Sequence, residues 1–369
     1  IPQLTSLHPD VGSSRDLSSV VLRSRIMSTI LRRAPQLTRR ILPRITHTTT
    51  QPRHQHIATM TTGVFRYVDP ATLAGDNSKP WTKVDTDVTS FSRTERRRSV
   101  TNIRDAGAST FGTDVSGFAV YHAPAAEKAF TDEKAVREGY YAEVEALLRA
   151  KLPGVKKVVI FDHTVRRREK SSPRQPVQQV HVDQTPRAAE VRVRRHVEDA
   201  AEAEELLKGR YQIINVWRPI GHPATDFPLA VIDWRTTVPE DLVAVDLLYP
   251  KRTDGDDDDR GKEVLPDETL AKSIEGYEVK GETYAIAPND NHKLYYMKDM
   301  TPDEAMFIKC FDSRSQGLPG GRQGLAGLTP HTAFEDPATP ADAKGRQSIE
   351  VRCLVFYDDL SPREGAFRK

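Results

Sequence analysis

Short runs of β-branched and aromatic residues, separated by polar turns, dominate the pattern from residue 155 onward. Val155–Asp162, Gln178–Val182, Tyr211–Trp217, Leu229–Asp233, Leu242–Tyr249, Thr283–Ala287, Met306–Phe311 and Ile349–Tyr357 each have the length and composition of a strand. Helical spacing occurs twice. Thr131–Leu152 sets Ala135, Tyr140, Val144, Leu147 and Leu148 on one side and charges on the other, until Pro153 and Gly154 stop it. Val197–Lys208 is rich in Ala, Glu and Leu. Many short strands with few helices between them predict a mainly β sandwich or barrel with flanking helices rather than a parallel sheet. Phe65–Lys83 reads as an extended arm, and no internal repeat is visible.

The first sixty residues break this pattern. Between Val11 and Met60 there is one acidic residue, Asp16, among many Arg, Ser and Thr, and segments such as Ile30-Leu31-Arg32-Arg33 mix arginine with aliphatic side chains. Arg-rich, Ser-rich and acid-poor is the composition of an organelle transit peptide; an upstream extension, with translation starting at Met27 or Met60, gives the same composition. Either way the expectation is a division into residues 1–60, outside the packed core, and a single folded domain over 61–369.

Composition narrows the functional classes. A net charge of +2 makes no case for a nucleic-acid or membrane-surface partner. No apolar run approaches the ~20 residues that cross a bilayer. The acidic loop Asp254–Asp259 reads as a solvated insertion. Cys310 and Cys353 lie in apolar runs without CxxC spacing, so they are expected as buried free thiols. The expected location is the cytoplasm, or the mitochondrion if the first sixty residues act as a leader.

Candidate chemistry concentrates in His181-Val182-Asp183. In a strand, residues i and i+2 point to the same face, so His181 and Asp183 can grip one ion together. His331, in Pro330-His331-Thr332, could fold back to complete a two-histidine, one-carboxylate face of the kind that leaves positions open on Fe(II) for a co-substrate and dioxygen. Competing histidines are His163, His196, His222 and His292, of which His292, in a turn-like sequence after a strand, is the best rival to His331.

Longer motifs add to this. Val180-His181-Val182-Asp183-Gln184-Thr185-Pro186, Asn215-Val216-Trp217-Arg218-Pro219-Ile220, Asp299-Met300-Thr301-Pro302-Asp303-Glu304, Ile308-Lys309-Cys310-Phe311-Asp312-Ser313 and Pro330-His331-Thr332-Ala333-Phe334 occur in that order. They resemble the gibberellin-desaturase-like family of fungal hydroxylase/desaturases, which is also similar to the hydroxylase component of cephamycin biosynthesis. The resemblance spans roughly Val64 to Tyr357. It implies a double-stranded β-helix (jelly-roll) carrying a non-haem Fe(II), 2-oxoglutarate-dependent oxygenase that uses dioxygen on a small-molecule substrate of secondary metabolism. It leaves the substrate, and the choice between hydroxylation and desaturation, open.

A five-carbon diacid co-substrate needs a cation at its far carboxylate, and arginine offers two parallel hydrogen bonds. Arg346 and Ser348 share a face of the last strand, fifteen residues beyond His331, and are the first choice. Arg352 shares that face and is the second, although Glu350 could hold it in an ion pair. Asn215 and Arg218 are further candidates, for the keto-acid end or the substrate. Two other classes stay in play: a catalytically silent family member acting as a binding or scaffold protein, which predicts a damaged triad, and a different enzyme on the same barrel, such as a metal-dependent isomerase or a component of a methoxylation complex.

Overall fold

Two antiparallel-rich sheets face each other, and helices cover the outer side of the smaller one. The computed structural model describes residues 59–73, 78–107, 110–169, 172, 175–251 and 273–358. The expected acidic loop at Asp254–Asp259 and nearly all of the segment before Met60 lie outside them. In chain order the first strands are β1 (Met60–Val68), β2 (Trp81–Lys83), β3 (Arg93–Asn102), β4 (Phe118–His122) and β5 (Val155–Arg167). β6 (His181–Val182), β7 (Tyr211–Pro219), β8 (Leu229–Ile232), β9 (Leu242–Pro250) and β10 (Tyr277–Ile286) follow. The last are β11 (Leu294–Tyr296), β12 (Glu304–Asp312), β13 (His331–Ala333) and β14 (Gln347–Tyr357).

The larger sheet runs β1-β3-β11-β8-β13-β6-β10-β9-β2 and the smaller β4-β12-β7-β14-β5. Mainly β, with two curled sheets and few helices, the chain has the jelly-roll architecture.

Period two explains how the smaller sheet serves two cores. On β7, Tyr211, Ile213 and Trp217 face the space between the sheets, while Ile214 and Val216 face the helices. β14 splits the same way, with Leu354 and Phe356 inward and Ile349, Val351, Cys353 and Val355 outward. Both faces are covered, so every residue of β7 is buried, and its apolar residues fall on both faces rather than alternating with exposed polar ones. Each large side chain buried in this way contributes on the order of 1.5–3 kcal/mol.

The outer cover is the expected helical region, realised as α1 (Glu133–Ala135), one π turn (Val136–Tyr140) and α2 (Tyr141–Lys151). Val136, Tyr140, Val144 and Leu148 pack on the outer face of the smaller sheet.

Three details differ from the sequence reading. The arm at Phe65–Lys83 is in part strand: β1 pairs along its whole length with β3, from Met60 opposite Thr101 to Val68 opposite Arg93. Neither strand alternates cleanly in sequence, because β3 reads RTERRRSVTN and sits near the solvated edge of the larger sheet. The helix expected at Val197–Lys208 is α4 (Ala200–Lys208), whose Asp199 caps the amides of Ala201 and Glu202. A second helix precedes it, α3 (Pro186–His196), capped by Thr185 with Pro186 in its first turn. Its four arginines hid the small buried stripe of Ala188, Ala189 and Val193.

Cys310 and Cys353 are both buried and free.

Candidate metal centre

The chain brings His181, Asp183 and His331 together between the sheets. β13 and β6 are adjacent and antiparallel, with His331 directly opposite His181. Their rings lie 4.5 Å apart, and one donor atom from each of the three residues falls within 4.8 Å of the others. His331 is buried, while His181 and Asp183 keep 19% and 17% of their side chains exposed, which leaves the cluster reachable from one side.

Backbone carbonyls fix the tautomers. Nδ1 of His181 donates to the Gln179 carbonyl at 2.7 Å, and Nδ1 of His331 donates to that of Thr329 at 3.0 Å. Both Nε2 atoms are thereby turned toward Asp183, at 3.4 Å for His181 and 3.9 Å for His331. Imidazoles that ligate metals are held in this way, the outer nitrogen donating and the inner one free.

The charges agree with that geometry. Burial works against ionising Asp183, but His181, Arg352 and His331 outweigh it and hold the carboxyl well below its usual range. Burial and the neighbouring His181 push His331 down, toward the neutral form. For His181, burial opposes protonation, yet the contact with Asp183 raises it overall. Two imidazoles and an ionised carboxylate around one point form a donor set that suits a divalent first-row metal.

The cavity wall opposite is the inner face of β14 and the residue just before it. Arg346, Ser348, Glu350 and Arg352 all line it, with Trp217 and Thr164 beside them. Arg346 is 2% exposed. Its Nη1 donates to the Phe227 carbonyl at 2.8 Å, its guanidinium lies 5.6 Å from the Trp217 ring, and its Nε is buried without a partner. Burial and the nearby Arg166 bring its pKa down to about 9, the direction expected of a cation short of a counter-ion.

Arg352 is placed differently. It holds Asp162 through Nη1 at 3.0 Å, Thr164 through Nη2 at 3.2 Å and Glu350 through Nε at 3.4 Å, and stands 3.7 Å from Asp183. Its cation is already matched.

Of the two β7 candidates, only Asn215 reaches the centre, donating to Asp183 Oδ2 at 2.7 Å. Arg218 is three residues further on and therefore points to the other face. There it donates to Tyr140 Oη at 2.9 Å and to the Pro302 carbonyl at 2.6 Å. Its expected role at the keto-acid or substrate end is replaced by that of a brace between the π turn and the loop before β12.

The rival histidines are elsewhere. His292 is bonded to Asp241 at 2.9 Å and stacks on Tyr67. His163 bonds Tyr141, His196 stacks on Phe161, and His222 closes a turn on Pro223. Trp217 and Thr164 are wall residues that motif reading passed over, although Trp217 lies two positions from Asn215 and so shares its face.

A jelly-roll with a two-histidine, one-carboxylate cluster between its sheets defines a class, the non-haem iron oxygenases. The family model described as an oxidoreductase/YMDC permease-like domain matches residues 65–356. Among the described residues no helix is long and apolar enough to cross a membrane. The hydroxylase/desaturase efuI of Hormonema carpetanum is 33% identical over 265 residues, 68% of this chain and 80% of its own length. The Fe(II)/2-oxoglutarate-dependent dioxygenase nvfI of Aspergillus novofumigatus is 34% identical over 62% of this chain and 71% of its length. A solved structure of the iron and alpha-ketoglutarate-dependent endoperoxidase NvfI superposes with a TM-score of 0.63 at 26% identity, covering 81% of this chain and 98% of that one. The chain belongs to the family of fungal hydroxylase/desaturases and Fe(II)/2-oxoglutarate-dependent dioxygenases.

Proposed function

We propose that His181, Asp183 and His331 hold Fe(II), that Arg346 with Ser348 receives the distal carboxylate of 2-oxoglutarate, and that the enzyme oxidises a small-molecule secondary metabolite at a C–H bond. The observation that carries this reading is the convergence of the three side chains with both imidazole Nδ1 atoms tied to carbonyls. The donor set fits the metal, and the fit to the co-substrate rests on the buried Nε of Arg346, which lacks an acceptor. A carboxylate there would complete a charge-assisted pair. When bound, iron would let dioxygen serve as the oxidant, two of its four oxidising equivalents converting 2-oxoglutarate to succinate and carbon dioxide and the other two oxidising the substrate C–H bond.

The protein's own residues do the remaining work. His181 and His331 must stay neutral to ligate, and the carbonyls of Gln179 and Thr329 hold them in the right tautomer. Arg346 and Ser348 fix one end of the co-substrate, and Trp217 covers the guanidinium from water. Arg352, matched by Asp162 and Glu350, stiffens the wall instead of receiving the diacid. An intact triad disfavours the scaffold reading.

Residues 61–369 form the catalytic domain, and the enzyme works in the cytoplasm unless residues 1–60 direct it to the mitochondrion. The test is succinate formation from 2-oxoglutarate by the purified chain with Fe(II), in the presence of candidate metabolites. Iron-dependent succinate that disappears in His181→Ala supports the reading. Turnover that persists in that variant, or product formation without succinate, would refute it.

A further inference from the structure

Asp183 shows its two oxygens to different partners. Oδ1 faces the Nε2 atoms of His181 and His331, whereas Oδ2 accepts from Asn215 Nδ2 at 2.7 Å and lies 3.7 Å from Arg352 Nε. Asn215 is 0% exposed on β7, the central strand of the smaller sheet, directly opposite Arg352 of β14. Strands bonded on both sides allow its backbone little movement. A carboxylate can only accept, so the amide must turn its nitrogen to Asp183, and its own oxygen is left buried with no donor. A buried acceptor left unsatisfied in this way asks for a reason.

Carboxylates bind metals through one oxygen or two. Resting on the metal site proposed above, we infer that Asn215 is a positioning residue that engages Oδ2, so that Asp183 presents Oδ1 alone to the ion. A six-coordinate ion held by two histidines and a single oxygen keeps three positions open, two for a chelating co-substrate and one for dioxygen. If Oδ2 also bound, one of those would be lost. The amide suits the task because it is a donor without charge. A second carboxylate there would repel Asp183.

The test uses Mn(II) as the probe, added to the iron-free enzyme, with water-proton relaxation reporting the exchangeable waters on the bound ion. Asn215→Leu keeps the volume and removes the donor. The expected result is a folded variant, judged by circular dichroism, whose relaxation enhancement per bound Mn(II) falls by roughly a third, one open position of three. An enhancement equal to wild type overturns the inference. His181→Ala separates the two levels: if it binds Mn(II) as wild type does, the metal site itself is wrong and the role of Asn215 falls with it. A wild-type measurement covers the case in which the leucine variant fails to fold. In Zn(II)-loaded enzyme labelled with 15N-asparagine, the amides of Asn102 and Asn289 are also bonded to carboxylates, so the mark of Asn215 is a side-chain amide that both exchanges slowly with solvent and moves on metal release. If no asparagine side chain does both, the Asn215 contact is absent and the inference is overturned.

Discussion

Two groups of buried charge are finished in different ways. Around Lys309, every charge is matched: its Nζ donates to Asp114 at 2.7 Å, to Asp312 at 2.8 Å and to the Ala326 carbonyl at 3.0 Å. Arg210 reaches the same two carboxylates at 2.7 Å each, and Gln212 adds a further bond to Asp312 at 2.7 Å. Around His181, Asp183 and His331 the matching stops short. The two Nε2 atoms face one carboxylate oxygen, Arg346 Nε has no acceptor and Asn215 Oδ1 has no donor. Buried polar groups normally find partners, so the first cluster reads as a structural pin and the second as a site waiting for ligands.

The sharpest way to break the comparison is to remove a ligand. His181→Ala or Asp183→Ala is expected to abolish metal binding and turnover while leaving the thermal melt near that of the metal-free wild type. Calorimetric metal titration beside a melting curve decides it, and full activity in either variant would sink the assignment. The mirror experiment is Lys309→Met. It leaves Asp114 and Asp312 to share Arg210 as their one remaining cation, and removing one partner from a buried charge cluster typically costs about 3–5 kcal/mol. Urea unfolding should show that loss, with metal affinity per folded molecule unchanged.

Arg346→Ala comes next. Losing a buried charge-assisted bidentate contact should weaken 2-oxoglutarate binding roughly a hundredfold and leave metal affinity alone. Arg352→Ala should mainly destabilise, because it strands Asp162 and Glu350. Titrating the co-substrate with metal in excess separates the two arginines, and a reversal of these outcomes would exchange their roles.

A pH series sharpens the contrast further. Lys309 and Arg210 outweigh burial and hold Asp114 and Asp312 below the usual carboxylate range. Groups depressed on folding add stability that is fully present above the unfolded value of about 4 and is lost as pH falls below it. Stability should therefore decline from about pH 4 downward, with a shallower decline in Lys309→Met. Metal affinity should weaken at a higher pH, because His181 is raised and its proton competes with the ion. Coincident midpoints for unfolding and metal release would contradict the separation. The smallest effect is expected from a chain starting at Met60, which among the described residues loses the bonds of Thr59 to Asp105 and Asn102. A stability change of about 1 kcal/mol and unaltered turnover are predicted, and a large loss of folded protein would show that the earlier segment packs on the domain.

Much of the site is legible in the amino-acid sequence. His181 and Asp183 are two residues apart, and the pleat of any strand puts such a pair on one face whatever surrounds it. The same rule places Ser348, Glu350 and Arg352 together on β14, with Arg346 just ahead of the strand. It also separates Asn215 from Arg218, and so argues against Arg218 as a companion of Asn215 at the centre. The strands at β7, β12 and β14 are legible because, covered on both faces, they carry apolar residues at both strand parities, interrupted by a few polar side chains. β1, β3 and α3 are not, because solvated edges and an arginine-covered helix carry little hydrophobic period.

Local sequence thus determined which residues can act as ligands and which neighbours share their face, since covalent geometry sets both within two or three residues. The tertiary structure decided the rest. It set His331 opposite His181 across some 150 residues of chain, matched Arg352 with Asp162 but left Arg346 unmatched, and gave Asn215 to Asp183. Each of these depends on strand register between distant segments, and register is fixed by how the whole inner face packs, not by any stretch of sequence read alone.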